Sequence, residues 1–251
     1  MTIEQELRKA MNNHELFMVY QPQINDEGYF YGAEALIRWN SPTLGNVPPN
    51  HFIPLAEASG LMPKIGRLII EMVCEDVNEI HHKLQRPFHV SINISVRQFM
   101  DPRFLEHMLN VFEKTQTQYL HITLEVTENL FIEDLQYILP LLHKIRAMGI
   151  EISMDDFGTG YSSLSMLRQL PINELKIDKS FVDAIAYDIT SAKMVQNIIT
   201  IGKNLNMHVL AEGVETKEQK EILSTFGCDR FQGYYFSKPL LKEDLLHFLQ
   251  S

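Results

Sequence analysis

Six short apolar runs in this chain carry or end on residues suited to holding hard metal ions. They are Glu34, Asn93, Glu125, the adjacent pair Asp155 and Asp156, Lys176 with Asp178 two residues on, and Glu212. Taken singly, each has a bland reading as a solvated cap, because Asp and Asn commonly follow strands. Gathered in one mouth, the carboxylates would repel one another or take raised pKa values unless cations sat among them. Carboxylates with one amide oxygen, no Cys and few His suit Mg²⁺ or Mn²⁺. Asp155 and Asp156 can serve two ions, one carboxylate bridging while its neighbour reaches sideways. Two ions roughly 3.5–4 Å apart are the arrangement used for in-line displacement at a phosphodiester. Such ions also let an acidic protein receive an anionic substrate. Lys176 would be a surface residue elsewhere; beside these acids it is a candidate for steering water or phosphate.

Those residues need elements that bring them together. The first dozen residues read as a helix, with Ile3, Leu7, Ala10 and Met11 on one face. A hairpin follows, with strands at 16–20 and 29–39 around the turn Asn25-Asp26-Glu27-Gly28. Residues 41–49 read as the clearest loop. Helices are then expected over 63–84, 103–114, 135–148, 162–170, 191–205, 217–226 and 242–249, from apolar spacings such as Ile65, Leu68, Ile69, Met72 and Val73. Strands are expected over 88–92, 121–126, 150–154, 173–177, 207–211 and 229–232. This alternation implies a parallel sheet covered by helices. An open doubly wound sheet and a closed (β/α)8 barrel both satisfy it, and the hairpin adds an antiparallel strand near the start. In a barrel the strand ends named above share one face, where barrel enzymes place their chemistry.

Composition narrows the function further. The 251 residues hold 32 acidic and 22 basic side chains, a formal charge of -10 that argues against bulk affinity for nucleic acid or anionic lipid. At 45% hydrophobic and 22% charged the chain is ordinary globular protein, with a length that one α/β barrel can fill. Cys74 and Cys228 stand in no metal-ligand spacing and read as small buried thiols of a reducing compartment. The start has no apolar core of a signal peptide, and no run approaches the roughly 20 apolar residues of a membrane span. A cytoplasmic protein is expected.

Other features yield to plainer readings. Gly158-Thr159-Gly160 after a strand mimics a dinucleotide fingerprint, but Ser163 replaces the third Gly and Asp155-Asp156 would repel a pyrophosphate. An active-site loop fits better. The ten His form no metal spacing, and His81 and His82 read as surface positions; the twelve Met read as core filling. Glycosidases also pair carboxylates at barrel strand ends, yet one Trp leaves little aromatic platform for a sugar.

At these residues the sequence resembles the EAL-domain family, bacterial phosphodiesterases of cyclic di-GMP. The motifs are Tyr20-Gln21-Pro22, Glu34-Ala35-Leu36-Ile37-Arg38-Trp39, Ser91-Ile92-Asn93-Ile94-Ser95, Glu125-Val126-Thr127-Glu128, Asp155-Asp156-Phe157-Gly158-Thr159-Gly160, Leu175-Lys176-Ile177-Asp178, Ala211-Glu212-Gly213-Val214-Glu215 and Phe231-Gln232-Gly233-Tyr234. Their order and spacing are specific where a lone E-A-L is not. The resemblance implies a (β/α)8 TIM-like barrel with an antiparallel first strand, residues 1–251 forming one EAL phosphodiesterase domain. It implies that Glu34, Asn93, Glu125 and Asp155 hold one Mg²⁺ or Mn²⁺. Asp155 and Asp156 would hold a second, with Glu212 completing the site. By the same resemblance Lys176 orients the attacking water and Glu212 shares ligation with proton transfer. Gln21, Leu36, Arg38, Asp178, Glu215 and Gln232 would contact substrate or the metal shell, and Glu128 would anchor the loop over 155–162. The implied reaction opens one phosphodiester of cyclic di-GMP to linear pGpG. Degenerate relatives lose site residues and act as receptors or protein-interaction domains; none of these positions is lost here. The family also implies a homodimer, for which Val182, Ile185 and Ile189 offer an apolar face that burial within the monomer would equally explain.

Overall fold

A hairpin and a three-residue pairing close this fold. β1 (Leu16–Asn25) runs antiparallel to β2 (Phe30–Ser41), with Gln21 opposite Glu34. β3 (Gly45–Val47) is a short antiparallel appendage on β2. β4 (His89–Asn93), β5 (Ile122–Thr127), β6 (Glu151–Phe157), β7 (Glu174–Ile177), β8 (His208–Ala211) and β9 (Arg230–Gln232) follow β2 in parallel order. β9 then meets β1 antiparallel through Gln23–Gln232, Ile24–Phe231 and Asn25–Arg230, so the sheet returns on itself. The computed structural model describes residues 2–85, 88–133, 135–158 and 164–250. The barrel with one antiparallel strand is therefore the fold, and the open sheet is excluded.

Alternation along the strands separates two environments. Val90, Ile92, Leu124, Ile152, Met154, Leu175 and Ile177 are fully buried in the apolar layer between strands and helices. The residues between them, Ser91, Thr123, Glu125, Ser153, Glu174 and Lys176, turn the other way and are buried too. The lumen is thus polar, where most barrels of this kind are filled by branched apolar side chains. Outside, the long helix Met62–Leu84 buries Ile65, Ile69, Val73, Val77 and Ile80 in one stripe, as its sequence periodicity requires. It ends at Gln85, whose left-handed backbone (φ 53°) caps it.

The structure corrects three local readings. The expected loop over 41–49 contains β3, and a helix, Pro49–Ala58, follows where none was expected. Two prolines hid it: Pro49 stands at the tolerated first position, and Pro54 mimics a breaker inside the helix. His82 is exposed as read, but His81 is half-buried. Its Nε2 accepts from the Phe88 N–H at 2.7 Å, and its ring meets His121 edge-on at 4.3 Å. Of the helix expected over 162–170, Leu164–Leu167 is helical and 168–170 are turn and bend, while residues 159–163 lie outside the described residues. Cys74 and Cys228 are buried free thiols, as read from the sequence.

Candidate active site

Lys176 organises the C-terminal mouth of the barrel. It sits near the end of β7 with its side chain fully buried, and four carboxylates surround its Nζ. Glu212 Oε1 lies at 2.5 Å, Glu125 Oε2 at 2.7 Å, Asp155 Oδ1 at 3.4 Å and Glu34 Oε2 at 3.8 Å. The strand register makes this meeting: Asn93 stands opposite Glu125 between β4 and β5, and Thr127 opposite Asp155 between β5 and β6. A second web holds Glu34. Asn93 Nδ2 donates to its Oε1 at 2.6 Å and Gln232 Nε2 to its Oε2 at 2.5 Å. Gln232 also donates to Gln21 Oε1 at 3.2 Å.

The electrostatics follow from one ammonium among several acids. Burial alone would pull the Lys176 pKa down; Asp155, Glu125, Glu212 and Glu34 outweigh it and hold it well above the ordinary lysine value. Burial pushes Glu125 well up, against the pull of Lys176, with Glu34, Asp155 and Glu212 adding to the rise. Glu212 is raised to about 8, by burial first and then by Asp155 and Glu34 against the opposing pull of Lys176. Glu34 is lowered, because Lys176, Gln232 and Asn93 overcome its burial.

Asp155 and Asp156 are neighbours on a strand, and regular pleating would send them to opposite faces. A register irregularity between Met154 and Phe157 breaks the pleat, and Asp156 takes a left-handed backbone (φ 56°) that Asp tolerates better than most residues. Its N–H donates to Asp155 Oδ1 at 2.9 Å. Burial and the charges of Asp155 and Asp178 raise the Asp156 pKa.

The donor set suits a divalent cation. Among the described residues Glu125 Oε1 is buried without a hydrogen-bond partner, and with Asn93 Nδ2 given to Glu34, its Oδ1 is the amide atom left for a ligand. One lysine cannot satisfy four carboxylates, and hard oxygen ligands are what Mg²⁺ and Mn²⁺ take.

Two cavities open from this floor. One of about 360 Å³ is lined by Gln21, Glu34, Leu36, Asp155, Glu212, Glu215, Gln232 and Tyr234 among others. The second, about 240 Å³ and largely apolar, is lined by Leu36, Arg38, Asn93 and Glu125 beside Pro49, Ile53 and Met62. Leu36 divides them. Arg38 donates to its neighbour's carbonyl, Ile37 O, at 2.8 Å, and burial lowers its pKa. Asp178 lies apart from both linings and caps the helix Lys179–Asp183 by accepting from the Ser180 N–H at 3.0 Å. Glu128 is buried after β5, but the loop assigned to it runs into residues outside the description. Of the dimer face, Val182 and Ile185 are buried in the monomer and Ile189 is exposed. Lys179 and Tyr234 also line the larger cavity; Tyr234 closes a quoted motif but was given no role from sequence, and Lys179, which directly follows Asp178, was missed.

Residues 4–239 match the EAL domain family. The chain belongs to that family. It is 37% identical over 242 residues to MucR of Pseudomonas aeruginosa, a bifunctional diguanylate cyclase/cyclic di-GMP phosphodiesterase, covering 96% of this chain and 35% of MucR. It is 38% identical over 251 residues to PdeG of Escherichia coli, a probable cyclic di-GMP phosphodiesterase, covering 100% of this chain and 50% of PdeG. The chain thus spans about a third to a half of these relatives. The solved PaMucR phosphodiesterase in complex with c-di-GMP superposes with a TM-score of 0.94 at 36% identity, over 98% of this chain and 100% of that one. The EAL chain described here has no helix, among its described residues, long and apolar enough to cross a membrane.

Proposed function

We propose that this EAL domain, residues 1–251, hydrolyses one phosphodiester of cyclic di-GMP to give linear pGpG. The observation that carries the reading is the mouth itself: four carboxylates on one buried lysine, with Glu125 Oε1 unpartnered. That is a cluster short of positive charge, and likeness to the PaMucR phosphodiesterase supports the nucleotide. Glu34, Asn93, Glu125 and Asp155 would hold one Mg²⁺ or Mn²⁺, and Asp155, Asp156 and Glu212 the second. When bound, the two ions supply Lewis acidity, acidifying the attacking water and stabilising charge on the phosphoryl and leaving oxygens.

The chain's own groups do the rest. Lys176 donates from Nζ to the attacking water and holds it in line with phosphorus. Glu212, beside Lys176 at 2.5 Å, shares ligation with taking the proton of the attacking water. Gln21, Glu215 and Gln232 orient the nucleotide, and Asp178, whose charge acts on Asp156, would contact the metal-bound shell. Arg38, beside the apolar cavity, offers a planar fork to a phosphate, and Leu36 separates the two lobes. Glu128 holds the loop after Asp156. The reading includes a cytoplasmic setting and a homodimer, which light scattering at working concentration tests.

Chromatography of cyclic di-GMP incubated with Mg²⁺, Mn²⁺ or EDTA tests the reaction. Metal-dependent pGpG, lost with EDTA and reduced at least about 10³-fold in Glu34→Ala, is expected. Tight nucleotide binding without product would make the chain a receptor instead, and near-normal turnover by Glu34→Ala would remove the site assignment.

A further inference from the structure

The segment 212–215 leaves β8 carrying two acids of the larger cavity, Glu212 and Glu215. Between them Gly213 adopts φ 64°, and a Cβ there would run into Lys179 Cγ and Cδ. The aliphatic stem of Lys179 therefore lies flat on the Gly213 backbone. Its Nζ reaches beyond to Glu215 Oε1 at 2.5 Å and back to Asp183 Oδ1 at 2.9 Å. A second tie runs parallel: Gln219 accepts from the Glu215 and Thr216 N–H groups at 2.8 and 3.0 Å and donates to Val182 O at 3.3 Å. Residues 213–216, directly after Glu212, are thus tied to the helix Lys179–Asp183 through Lys179 and Val182. Among the described residues lining the larger cavity, Lys179 is the only Lys or Arg.

We infer that Lys179 is a positioning residue for turnover: its stem pins the segment that presents Glu212 to Lys176, and its ammonium offsets Glu215 where an anionic nucleotide enters. The inference rests on reading the cavity as a cyclic dinucleotide site. A plain surface ion pair would predict otherwise, because exposed pairs contribute little to stability and nothing to kinetics.

Three variants separate stem from charge. Lys179→Met keeps the stem and loses the charge; KM for cyclic di-GMP should rise about 5–10-fold with kcat within about twofold. Lys179→Ala loses both, and kcat should fall about tenfold in addition, because Glu212 is no longer held in place. Lys179→Arg restores both quantities to within about twofold of the parent, and all three should melt within about 2 °C of it. Equal kcat for the Ala and Met variants would overturn the pinning. KM unchanged in both would overturn the charge role. If the parent chain makes no pGpG, the functional reading fails on its own. Calorimetric dissociation constants for cyclic di-GMP in Ca²⁺ then decide: a 5–10-fold loss in Lys179→Met supports the inference and an unchanged constant ends it.

Discussion

At the N-terminal floor of the barrel Arg230 meets Glu174 Oε2 at 2.6 Å, and Ser153 Oγ donates to the other oxygen of that carboxylate at 3.0 Å. At the C-terminal mouth Lys176 faces four carboxylates, and one oxygen of Glu125 has no partner. Both ends bury charge in the same polar lumen. On the floor Arg230 is paired with Glu174, with Glu151 nearby on the Tyr31 hydroxyl at 3.5 Å, and the pair is covered: the Tyr31 ring lies over Arg230 at 3.6 Å, His89 stacks on Tyr31 at 5.1 Å, and His121 and His81 continue the stack edge-on. The mouth has negative charge to spare and opens into cavities. A buried charge cluster that closes on itself is architecture, whereas one left short of counter-charge calls for something from outside.

The largest effect should come from removing the buried lysine of the mouth. Lys176→Met should cost about 10²–10³-fold in kcat, as loss of a preorganised electrostatic group does. In EDTA it should also lose about 3–5 kcal/mol of stability, because the acids lose their buried counter-charge. Mg²⁺ should recover more stability in this variant than in the parent, as read by urea midpoints with and without the ion. A parent-like midpoint in EDTA would show that the acids do not depend on Lys176.

The floor should answer differently. Arg230→Met leaves Glu174 buried and unpaired, an expected loss of about 3–5 kcal/mol, with kcat of the folded fraction within a fewfold of the parent. Adding Glu174→Leu should return most of that stability, since an apolar pair can replace a closed ion pair. If Arg230→Met lowered kcat as far as Lys176→Met, the two ends would not be separable.

The smallest effect concerns the stacked histidines. Burial lowers the pKa of His81 and His89, and that of His121 to about 4, with the neighbouring His81 and His89 adding to the fall. Glu151 opposes the fall at His89 and Arg230 reinforces it. The unfolded chain therefore binds more protons than the folded one between the ordinary histidine value and about pH 4. Stability is full above that window and falls as the pH drops through it. His121→Gln should flatten the fall by about 2–4 °C of melting temperature between pH 7 and 4.5, measured in saturating Mg²⁺. An identical slope in parent and variant would show that His121 takes up no proton in that range.

Much of the site was legible in one dimension because its residues sit at strand ends, where a short polar residue after an apolar run stands out. Glu34, Asn93, Glu125, Asp155, Lys176 and Glu212 all meet in the structure as that pattern implied. Lys179 was not legible, since a lysine opening a short helix looks like solvated surface until Gly213 is seen beneath its stem. His81 was hidden for a similar reason: its partners Phe88 and His121 lie on later elements. The helix Pro49–Ala58 was lost to its prolines, which signal breaks locally and are tolerated only in context.

The sequence by itself determined the alternation of strands and helices, the family, and the identity of the acids and the lysine, because these depend on local periodicity and residue type. Tertiary structure alone decided three things. Closure came from three antiparallel pairs between β1 and β9, a contact between opposite ends of the chain. The aim of Asp156 came from a break in strand register and a positive φ, which residue type permits without requiring. The imbalance of charge in the mouth came from register between strands, because electrostatic energy depends on distances that no single segment contains.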